Sequence, residues 1–385
     1  MNKGTVQKIN FLQVEIGRGH PFYLDGIISG IPADRLGMVQ DVVEMARGSS
    51  RLAWRLVRAM YHLAASGGWA GVCYSQLRRH NDYNQPGLML KWLGRDIRRL
   101  HAHGHDPLVV AHPILAAILK GRPNLFYQHG ELVAPGESLV RGDHKVLVPL
   151  SSTAGAFRDA GIPAAQIEVT GLCIEPALVA QADDAFQARL VRINGKGPLT
   201  GAVFSSGAEP WAHVKAMVAA ALSAVQAGGR IRIFAHRHGR LEKYARAGFV
   251  AGGLALNSDI SAPAECRACL CLYESRRDLD ALTARFFTQF DYFISPSHER
   301  SNWAMGLGLP MLMVGPPIGS FAPLNWQLLL NAGVARPLGH PLDFGAWLAQ
   351  QQADGALTRL ATAGYGRYPI DGFARIVERI LSDRL

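Results

Sequence analysis

Short apolar runs recur along the chain, and most are followed by a polar or glycine-rich turn and then a helical segment. In the first half the runs are residues 10–16, 106–113, 124–127, 144–149 and 166–171. The second half restarts the alternation with residues 199–204, 230–235, 268–273, 292–294 and 311–314. Strands that alternate with helices form parallel sheets, and their burial on both faces makes them continuously apolar. The pattern therefore predicts an α/β fold.

The length of the chain predicts more than one domain. A chain of 385 residues exceeds what one compact core usually spans. A polar, glycine-containing stretch at 194–198 separates the two sets of strands. We predict an N-terminal Rossmann-like domain over residues 1–175 and a C-terminal one over residues 195–365. We expect residues 366–385 to form a C-terminal helix that packs back toward the N-terminal domain.

Residues 39–69 have the periodicity of one long amphipathic helix, and a second basic segment follows at 91–99. Arginines and apolar residues alternate in the first segment: Arg47, Arg51, Arg55 and Arg58 with Leu52, Leu56 and Met60. Arginine beside leucine and tryptophan suits an anionic membrane surface. A solvated helix face over an ordinary core explains the same pattern, so both interpretations stand.

The formal net charge is +10 and the isoelectric point is about 9.6. Such a chain suits an anionic partner, either nucleotide phosphates, nucleic acid or an acidic membrane surface. Because the charge is spread along the chain without a basic tail or zinc-finger spacing, we expect no nucleic-acid partner. The N-terminus has no apolar signal segment and no apolar run is long enough to span a bilayer. We expect a cytoplasmic protein, with peripheral attachment to the inner face of the membrane as the second expectation.

Two groups of residues have the composition, but not the spacing, of metal sites. Cys266, Cys269 and Cys271 resemble half of a zinc site, and no second half follows. The histidines of residues 101–105 alternate in a polar stretch without a carboxylate or cysteine cluster. We therefore predict buried thiols and no metal.

In the first half, polar residues follow several predicted strands. Gly19 and His20 follow the first, His112 ends the next, and His129 and Glu131 follow the one after. Carboxyl ends of parallel strands meet at one edge of a sheet, where ligands bind. Histidine is the commonest general base. Glu131, His129 and His112 thus join His20 as site candidates. Of these, His20, Glu131 and His112 are the candidate catalytic residues, although His20 also suits the start of a helix.

The second half offers a matching set of hydrogen-bond donors and cations. They follow four predicted strands and comprise Ser205, Ser206, Gly207, His236, Arg237, Arg276, Ser297, His298, Glu299, Arg300, Ser301 and Asn302. Arginines, backbone amides and a helix N-terminus are suited to a diphosphate. We predict that these residues, with Gly19 of the first glycine-rich turn, bind a phosphate-bearing donor.

Several motifs resemble those of monogalactosyldiacylglycerol synthases and of the N-acetylglucosaminyltransferase that makes lipid II. The turn 17–20 resembles their N-terminal glycine-rich turn with its histidine, and residues 110–113 resemble their strand-end His-Pro. Residues 149–153 and 161–176 follow their pattern, and residues 308–310 with Asn325 and Gly333 match the end of their donor motif. The resemblance implies a GT-B fold, two Rossmann-like domains facing a central cleft. It also implies that His20 is the base or an acceptor-side group, and that Asn325 belongs to the donor site.

The chain departs from these families inside the donor motif. Their glutamate that holds the donor ribose lies seven residues before the proline, and Trp303 occupies that position here. Glu299 lies four residues earlier and Asn302 is adjacent. Either residue substitutes for the missing glutamate, or the donor is bound differently, or donor binding has been lost.

The sequence predicts a glycosyltransferase that moves a sugar from a nucleotide-sugar donor, expected to be UDP-linked, to a lipid-like or hydrophobic acceptor. By resemblance the reaction is inverting, and it needs no metal or other cofactor. A nucleotide-sugar epimerase on the same fold is the first alternative. A non-catalytic GT-B-like binding or scaffold protein, suggested by Trp303, is the second.

Overall fold

The structure is a computed structural model that describes residues 7–14, 19–65, 82–85, 87–259 and 266–382. The chain divides into two compact units. Unit 1 comprises Met1–Ile174 with Asp371–Leu385, and unit 2 comprises Glu175–Ile370. Each unit is built around one six-stranded parallel sheet with helices between the strands, so the prediction of two Rossmann-like α/β units is confirmed.

The strands of unit 1 follow the order β2-β1-β3-β4-β5-β6. Their bounds are β1 Ile9–Gln13, β2 Leu36–Asp41, β3 Leu108–Val110, β4 Leu125–Gln128, β5 Lys145–Val148 and β6 Ile167–Val169. The intervening helices are α1 Gly19–Ile28, α2 Val42–Met45, α3 Gly48–Ala65, α4 Leu88–Leu93, α5 Arg95–His101, α6 Pro113–Ile118 and α7 Ser151–Asp159. Strands β3 and β4 are buried along their whole length, because helices cover both faces of a parallel sheet.

The predicted single helix over residues 39–69 is wrong at its start. Residues Leu36–Asp41 form the edge strand β2, which pairs in parallel with β1. Met38 and Val39 are about half exposed, so this strand lacks the apolar run that marks a central one. Asp41 then caps α2, since its Oδ1 accepts from the amide of Val43 at 2.7 Å. Residues 66–69 lie outside the described residues.

Unit 2 has the strand order β12-β11-β10-β7-β8-β9. Its strands are β7 Thr200–Phe204, β8 Arg230–His236, β9 Ala268–Tyr273, β10 Tyr292–Ser295, β11 Met311–Met313 and β12 Ala335–Pro337. Its helices are α8 Pro176–Val179, α9 Ala182–Asn194, α10 Trp211–Gln226, α11 Arg240–Ala251, α12 Arg276–Phe286, α13 Ser301–Gly306, α14 Phe321–Ala332, α15 Phe344–Ala353 and α16 Ala356–Ala363. In both sheets the strand order reverses next to the first strand, a position where α/β proteins bind ligands.

The last helix, α17 Gly372–Ser382, belongs to unit 1. Its apolar face buries Phe373, Ile376 and Ile380 in the same core cluster as the buried side of α1. A Cβ atom on Gly26 of α1 would lie 2.4 Å from the ring of Phe373. Glycine at position 26 therefore allows the two helices to approach closely.

The described residues contain no group of three or more potential metal ligands. Cys269 and Cys271 are buried in β9, as predicted, whereas Cys266, which precedes the strand, is only half-buried. Burial raises the pKa of each of the two thiols in β9 to about 12. None of the helices in the described part of the chain has the length and apolar character needed to cross a bilayer.

Candidate functional site

The candidate catalytic residues of unit 1 follow three strands that are neighbours in its sheet. His20 lies at the start of α1 after β1, His112 follows β3, and Glu131 lies in the loop after β4. Because the strand order is β1-β3-β4, these side chains share the carboxyl edge. His20 and His112 flank the point where the strand order reverses. Gly17 and Arg18 lie outside the described residues, and Gly19 is the first residue of α1.

The rings of His20 and His112 are in contact, with centroids 4.4 Å apart and planes inclined by 53°. Nδ1 of His20 lies 2.9 Å from the backbone oxygen of Ala111. A carbonyl oxygen only accepts, so this bond assigns the proton of a neutral His20 to Nδ1 and leaves Nε2 as the basic nitrogen. Nδ1 of His112 instead accepts from the amide of Ile114 at 3.2 Å and caps α6. The two histidines therefore have opposite tautomers.

Glu131 is buried in a loop that packs against α1. Its side chain is 8% exposed, and a Cβ atom on the preceding Gly130 would lie 2.2 Å from the ring of Tyr23. Burial raises the pKa of the Cys173 thiol, and the negative charge of Glu131 raises it by a smaller amount. Glu131 thus lies near both α1 and Cys173.

His129, grouped with these residues in the sequence, is a core histidine. It is 3% exposed, and its Nε2 contacts the backbone oxygen of Val133 at 2.9 Å. Its ring packs edge-on against Phe157, and Tyr127 contacts both His129 and the buried His144. Burial lowers the pKa of His129 and of His144 to about 4. His129 is therefore excluded from the candidate catalytic set.

These two buried histidines predict acid sensitivity. Their pKa is about 4 in the folded protein and about 6.5 in an unfolded chain. Below pH 6.5 the unfolded chain therefore binds protons that the folded protein does not, and stability falls until the pH drops through 4. Between pH 7 and pH 5 we expect each histidine to lower the free energy of unfolding by about 2 kcal/mol, measured by urea denaturation.

A His144→Phe variant should lose about 2 kcal/mol less than the wild type between pH 7 and pH 5. His105→Gln serves as the control, because His105 is exposed and its removal should leave the pH dependence unchanged. A wild-type protein whose unfolding free energy is the same at both pH values would contradict the prediction.

The predicted donor residues other than Gly19, which lies in unit 1, belong to unit 2, and most of them follow strands at one edge of its sheet. The strand order β10-β7-β8-β9 makes neighbours of the turn after β7, the loop after β10 and the strand ends of β8 and β9. Ser205 is buried, Ser206 is half-buried and Gly207 is exposed. His236 and Arg237 are exposed, Arg276 is half-buried, and Arg237 forms an exposed ion pair with Glu274 at 2.7 Å.

The loop of residues 296–300 is fixed to α14 by side-chain hydrogen bonds. Ser297 Oγ donates to the backbone oxygen of Ala322 at 2.9 Å, and Asn325 Nδ2 donates to the backbone oxygen of Ser297 at 3.1 Å. Asn302 Nδ2 donates to the backbone oxygen of Glu299 at 3.0 Å. Ser297, Asn302 and Asn325 therefore shape this loop. Ser301 Oγ and Asn302 Oδ1 are buried without a hydrogen-bond partner among the residues that the structure describes.

Arg300 is a buried cation held by an anion and two aromatic rings. Its Nη1 lies 2.9 Å from Oε1 of Glu299, and both side chains are at most one-tenth exposed. Its guanidinium lies 4.5 Å from the ring centroid of Phe204 and 5.2 Å from that of Trp303. Stacking and ion pairing fix the guanidinium plane at the ends of β7 and β10.

Trp303, which stands where the resembled families have a ribose-binding glutamate, is 1% exposed in α13. Its indole Nε1 donates to Oε2 of Glu175 at 2.8 Å. Burial raises the pKa of Glu175 to about 7, and the nearby Asp280 carboxylate is the second cause of this increase. A carboxylate therefore does lie next to this motif, but it comes from a residue that is distant in the sequence.

Glu209 is a structural residue of this edge that no sequence pattern singles out. Its Oε1 accepts from Ser205 Oγ at 3.2 Å, and its Oε2 accepts from the amides of Arg240 and Leu241 at the start of α11. The carboxylate of Glu209 therefore occupies the N-terminus of α11. A phosphate at this edge must be bound by other groups.

His213, which is buried, and His298, which is half-buried, interact electrostatically at this edge. Nε2 of His213 lies 2.8 Å from the backbone oxygen of Pro316, which follows β11. Burial lowers the pKa of both histidines, and His213 contributes to lowering that of His298. Both rings are thus favoured in the neutral form. His213 lies inside the apolar helix α10, where its sequence context indicates only core packing.

No protein-family model matches the chain, and no curated protein matches it. Solved structures do match over nearly the whole length. The UDP-GlcNAc 2-epimerase of Neisseria meningitidis bound to UDP-GlcNAc is 11% identical with a TM-score of 0.55, covering 98% of this chain and 100% of that chain. The S. aureus MnaA–UDP complex is 12% identical with a TM-score of 0.57, covering 97% and 96%. The Methanocaldococcus jannaschii UDP-GlcNAc 2-epimerase, in complex with UDP-GlcNAc and UDP, is 10% identical with a TM-score of 0.51, covering 97% and 99%.

At this level of identity the matches establish the fold. The chain has the GT-B-type α/β architecture of the UDP-GlcNAc 2-epimerases, and the predicted fold class is confirmed. The motif resemblance to galactolipid and lipid II enzymes stays a prediction from the sequence.

Proposed function

We propose that the protein is an enzyme that acts on a nucleotide sugar, with UDP as the expected nucleotide. Two features support the proposal. The fold is that of proteins crystallised with UDP or UDP-GlcNAc. The carboxyl edge of the unit 2 sheet combines the small turn residues Ser205–Gly207 with His236, Arg237 and Arg276. Donors and cations of this kind are suited to a diphosphate.

Glycosyl transfer is the reaction that the side chains of unit 1 support best. The observation that carries it is the bond between His20 Nδ1 and the Ala111 carbonyl oxygen, at 2.9 Å. Because this bond assigns the proton to Nδ1, Nε2 is the nitrogen that accepts a proton from an acceptor hydroxyl group. The deprotonated oxygen then attacks the anomeric carbon, and the bond from that carbon to the diphosphate breaks. Cationic groups that bind the diphosphate stabilise its departure.

The acceptor is proposed to be lipid-like or hydrophobic. This part of the proposal comes from the motifs around His20 and His112 that resemble galactolipid and lipid II enzymes. A metal ion is not needed for departure of the diphosphate where arginines and backbone amides neutralise its charge.

Epimerisation of the sugar is the second candidate, favoured by the identity of the matching structures. Proton removal and return at a sugar carbon would use acid and base groups such as His20 and Glu131, which follow β1 and β4 at the same carboxyl edge of one sheet. In this reaction the product forms without an acceptor.

Product analysis tests the proposal and separates the two reactions. The protein is incubated with UDP-GlcNAc, UDP-glucose or UDP-galactose, each with and without diacylglycerol in detergent micelles. Transfer predicts UDP and a glycosylated lipid only when the acceptor is present. Epimerisation predicts an altered sugar without acceptor.

Calorimetric titration with UDP provides the independent binding measurement. We expect binding that weakens when Arg276→Gln removes a cation from the unit 2 edge, whereas Lys215→Gln on exposed helix surface leaves it unchanged. Absence of both UDP binding and any product would contradict the proposal and favour the scaffold interpretation.

A further inference from the structure

Helix α3 carries apolar side chains on two opposite faces. One face is part of the unit 1 core through Ala53 and Trp54. The other is exposed and carries four large apolar residues at 67, 59, 43 and 63% exposure: Leu52, Leu56, Met60 and Leu63. Their spacing of about four residues keeps them in one stripe along the helix. The stripe exposes more apolar surface than a helix facing only water requires.

Helix α4 extends this apolar surface. Leu88, Met89 and Trp92 are 85, 54 and 45% exposed. Trp92 Nε1 donates to Ser49 Oγ, at the start of α3, at 3.1 Å. The buried sides of the two helices are joined where Trp54 Nε1 donates to the backbone oxygen of Leu93 at 3.1 Å. The exposed apolar residues of α3 and α4 therefore belong to one packed helix pair, which we call the α3–α4 surface.

The segments that contain α3, α4 and the following helix α5 carry an excess of positive charge. Residues 47–65 and 87–101 contain eight arginines and lysines and one acidic residue, Asp96, so they carry seven of the ten net positive charges. Asp96 is only 4% exposed and accepts from the backbone amide of Arg47 at 2.8 Å. On α3 itself, the exposed Arg51 and Arg55 lie beside the apolar stripe.

A cleft of about 500 Å³ borders α4 and α5. Its lining includes Lys91 of α4 and Lys120 after α6, both exposed, together with the half-buried Arg98. Arg98 Nε donates to the backbone oxygen of Ile118 at 3.0 Å. The cleft adds two ammonium groups to the border of the apolar surface.

We propose that the α3–α4 surface docks unit 1 onto an anionic lipid bilayer. The leucines, Met60 and Trp92 enter the boundary between headgroups and acyl chains, while Arg51, Arg55 and Lys91 lie at the lipid phosphates. Exposed aliphatic side chains gain nothing from a purely polyanionic partner such as nucleic acid, whose contacts are mainly charged. The proposal goes beyond the proposed function and holds whichever sugar reaction the protein performs.

Vesicle flotation tests the proposal with the full-length protein. We expect flotation with vesicles of phosphatidylcholine and phosphatidylglycerol, little with pure phosphatidylcholine, and release when salt rises from about 50 mM to about 500 mM. The double variant Arg51→Gln/Arg55→Gln should weaken partition at least about tenfold, since each basic residue near the surface contributes roughly fivefold. Leu52→Ser/Leu56→Ser should also weaken it at least about tenfold, because apolar burial contributes independently.

Matched controls come from unit 2. Arg267→Gln/Arg367→Gln removes the same charge from exposed positions, and Val191→Ser/Val250→Ser removes aliphatic side chains that are 75 and 80% exposed. Both controls should float like the wild type, and thermal unfolding checks that all four variants fold.

Three results would overturn the proposal. One is equal flotation with neutral and anionic vesicles. Another is loss of partition with the arginine variant but not with the leucine variant, together with tight binding to duplex DNA. The third is a dimer in vesicle-free ultracentrifugation that Leu52→Ser/Leu56→Ser converts to monomer, since the stripe would then be an interface between two copies.

Discussion

Replacing His20 with alanine should lower kcat/KM for the nucleotide-sugar reaction by about 10²- to 10⁴-fold, the usual contribution of a general base. The structure supports this size of effect because neighbouring groups hold the ring. Nδ1 lies 2.9 Å from the Ala111 oxygen, and the ring of His112 lies 4.4 Å away, centroid to centroid. A base that is already positioned and has a fixed tautomer rearranges little when it accepts the proton.

A His20→Asn variant separates the two properties of the histidine. The asparagine amide can donate to the Ala111 oxygen as Nδ1 does, but it has no basic nitrogen. We therefore expect it to be about as inactive as the alanine variant. His103→Ala removes an exposed histidine of the same unit and should leave kcat/KM unchanged. Activity of either His20 variant within about threefold of wild type would exclude proton transfer by His20.

Replacing Arg189 with methionine should lower the free energy of unfolding by about 3–5 kcal/mol. Arg189, on α9, is fully buried and donates to three backbone oxygens: Phe290 at 2.9 Å, Leu307 at 2.9 Å and Gly308 at 3.0 Å. Methionine fills similar space but leaves these carbonyl groups without a donor in a dry environment. Burial lowers the pKa of Arg189 to about 9, so it remains charged at pH 7.

Urea denaturation of matched variants measures this effect. Arg189→Lys keeps the charge but replaces the two donating nitrogens of the guanidinium with one ammonium group. We therefore expect the free energy of unfolding to fall less than in Arg189→Met. Lys215→Met removes an exposed charge from the same unit and should change stability by less than about 0.5 kcal/mol. An Arg189→Met protein as stable as wild type would contradict the role assigned to these hydrogen bonds.

Arg189 also explains how the donor motif is supported. Its guanidinium bonds to Leu307 and Gly308, which precede Pro310 at the end of that motif. Gly308 has a φ of +57°, and a Cβ atom there would meet Phe186 of α9 at 2.7 Å. Glycine is therefore required at position 308 both by its backbone conformation and by the close approach of α9.

Most strands of the two sheets could be predicted from apolar runs, because strands covered on both faces need apolar side chains at every position. β2 could not, since an edge strand with exposed Met38 and Val39 has the composition of a helix surface. It forms because β1 offers a free edge, and that edge exists only in the folded sheet. The same argument explains why the helix prediction over residues 39–69 failed at its beginning.

The residues of the candidate site could likewise be predicted only in part. Strand order brings His20 and His112 together, and the sequence selected both because polar residues at strand ends stand out. The sequence also selected His129, but the packing of β4, β5 and α7 buries it with Phe157. Burial of this kind depends on neighbours that are distant in the chain, so strand-end position alone cannot reveal it.

By itself the sequence determined the alternation of strands and helices, the glycines at tight turns, the excess of positive charge and the residues at the strand ends. These features depend on local conformation and on the apolar or polar character of each position. Only the tertiary structure decided what those residues contact. It pairs Trp303 with Glu175 and Ser205 with Glu209, and it leaves the leucines of α3 exposed. Such pairings follow from strand order and packing, which bring together residues that no local pattern relates.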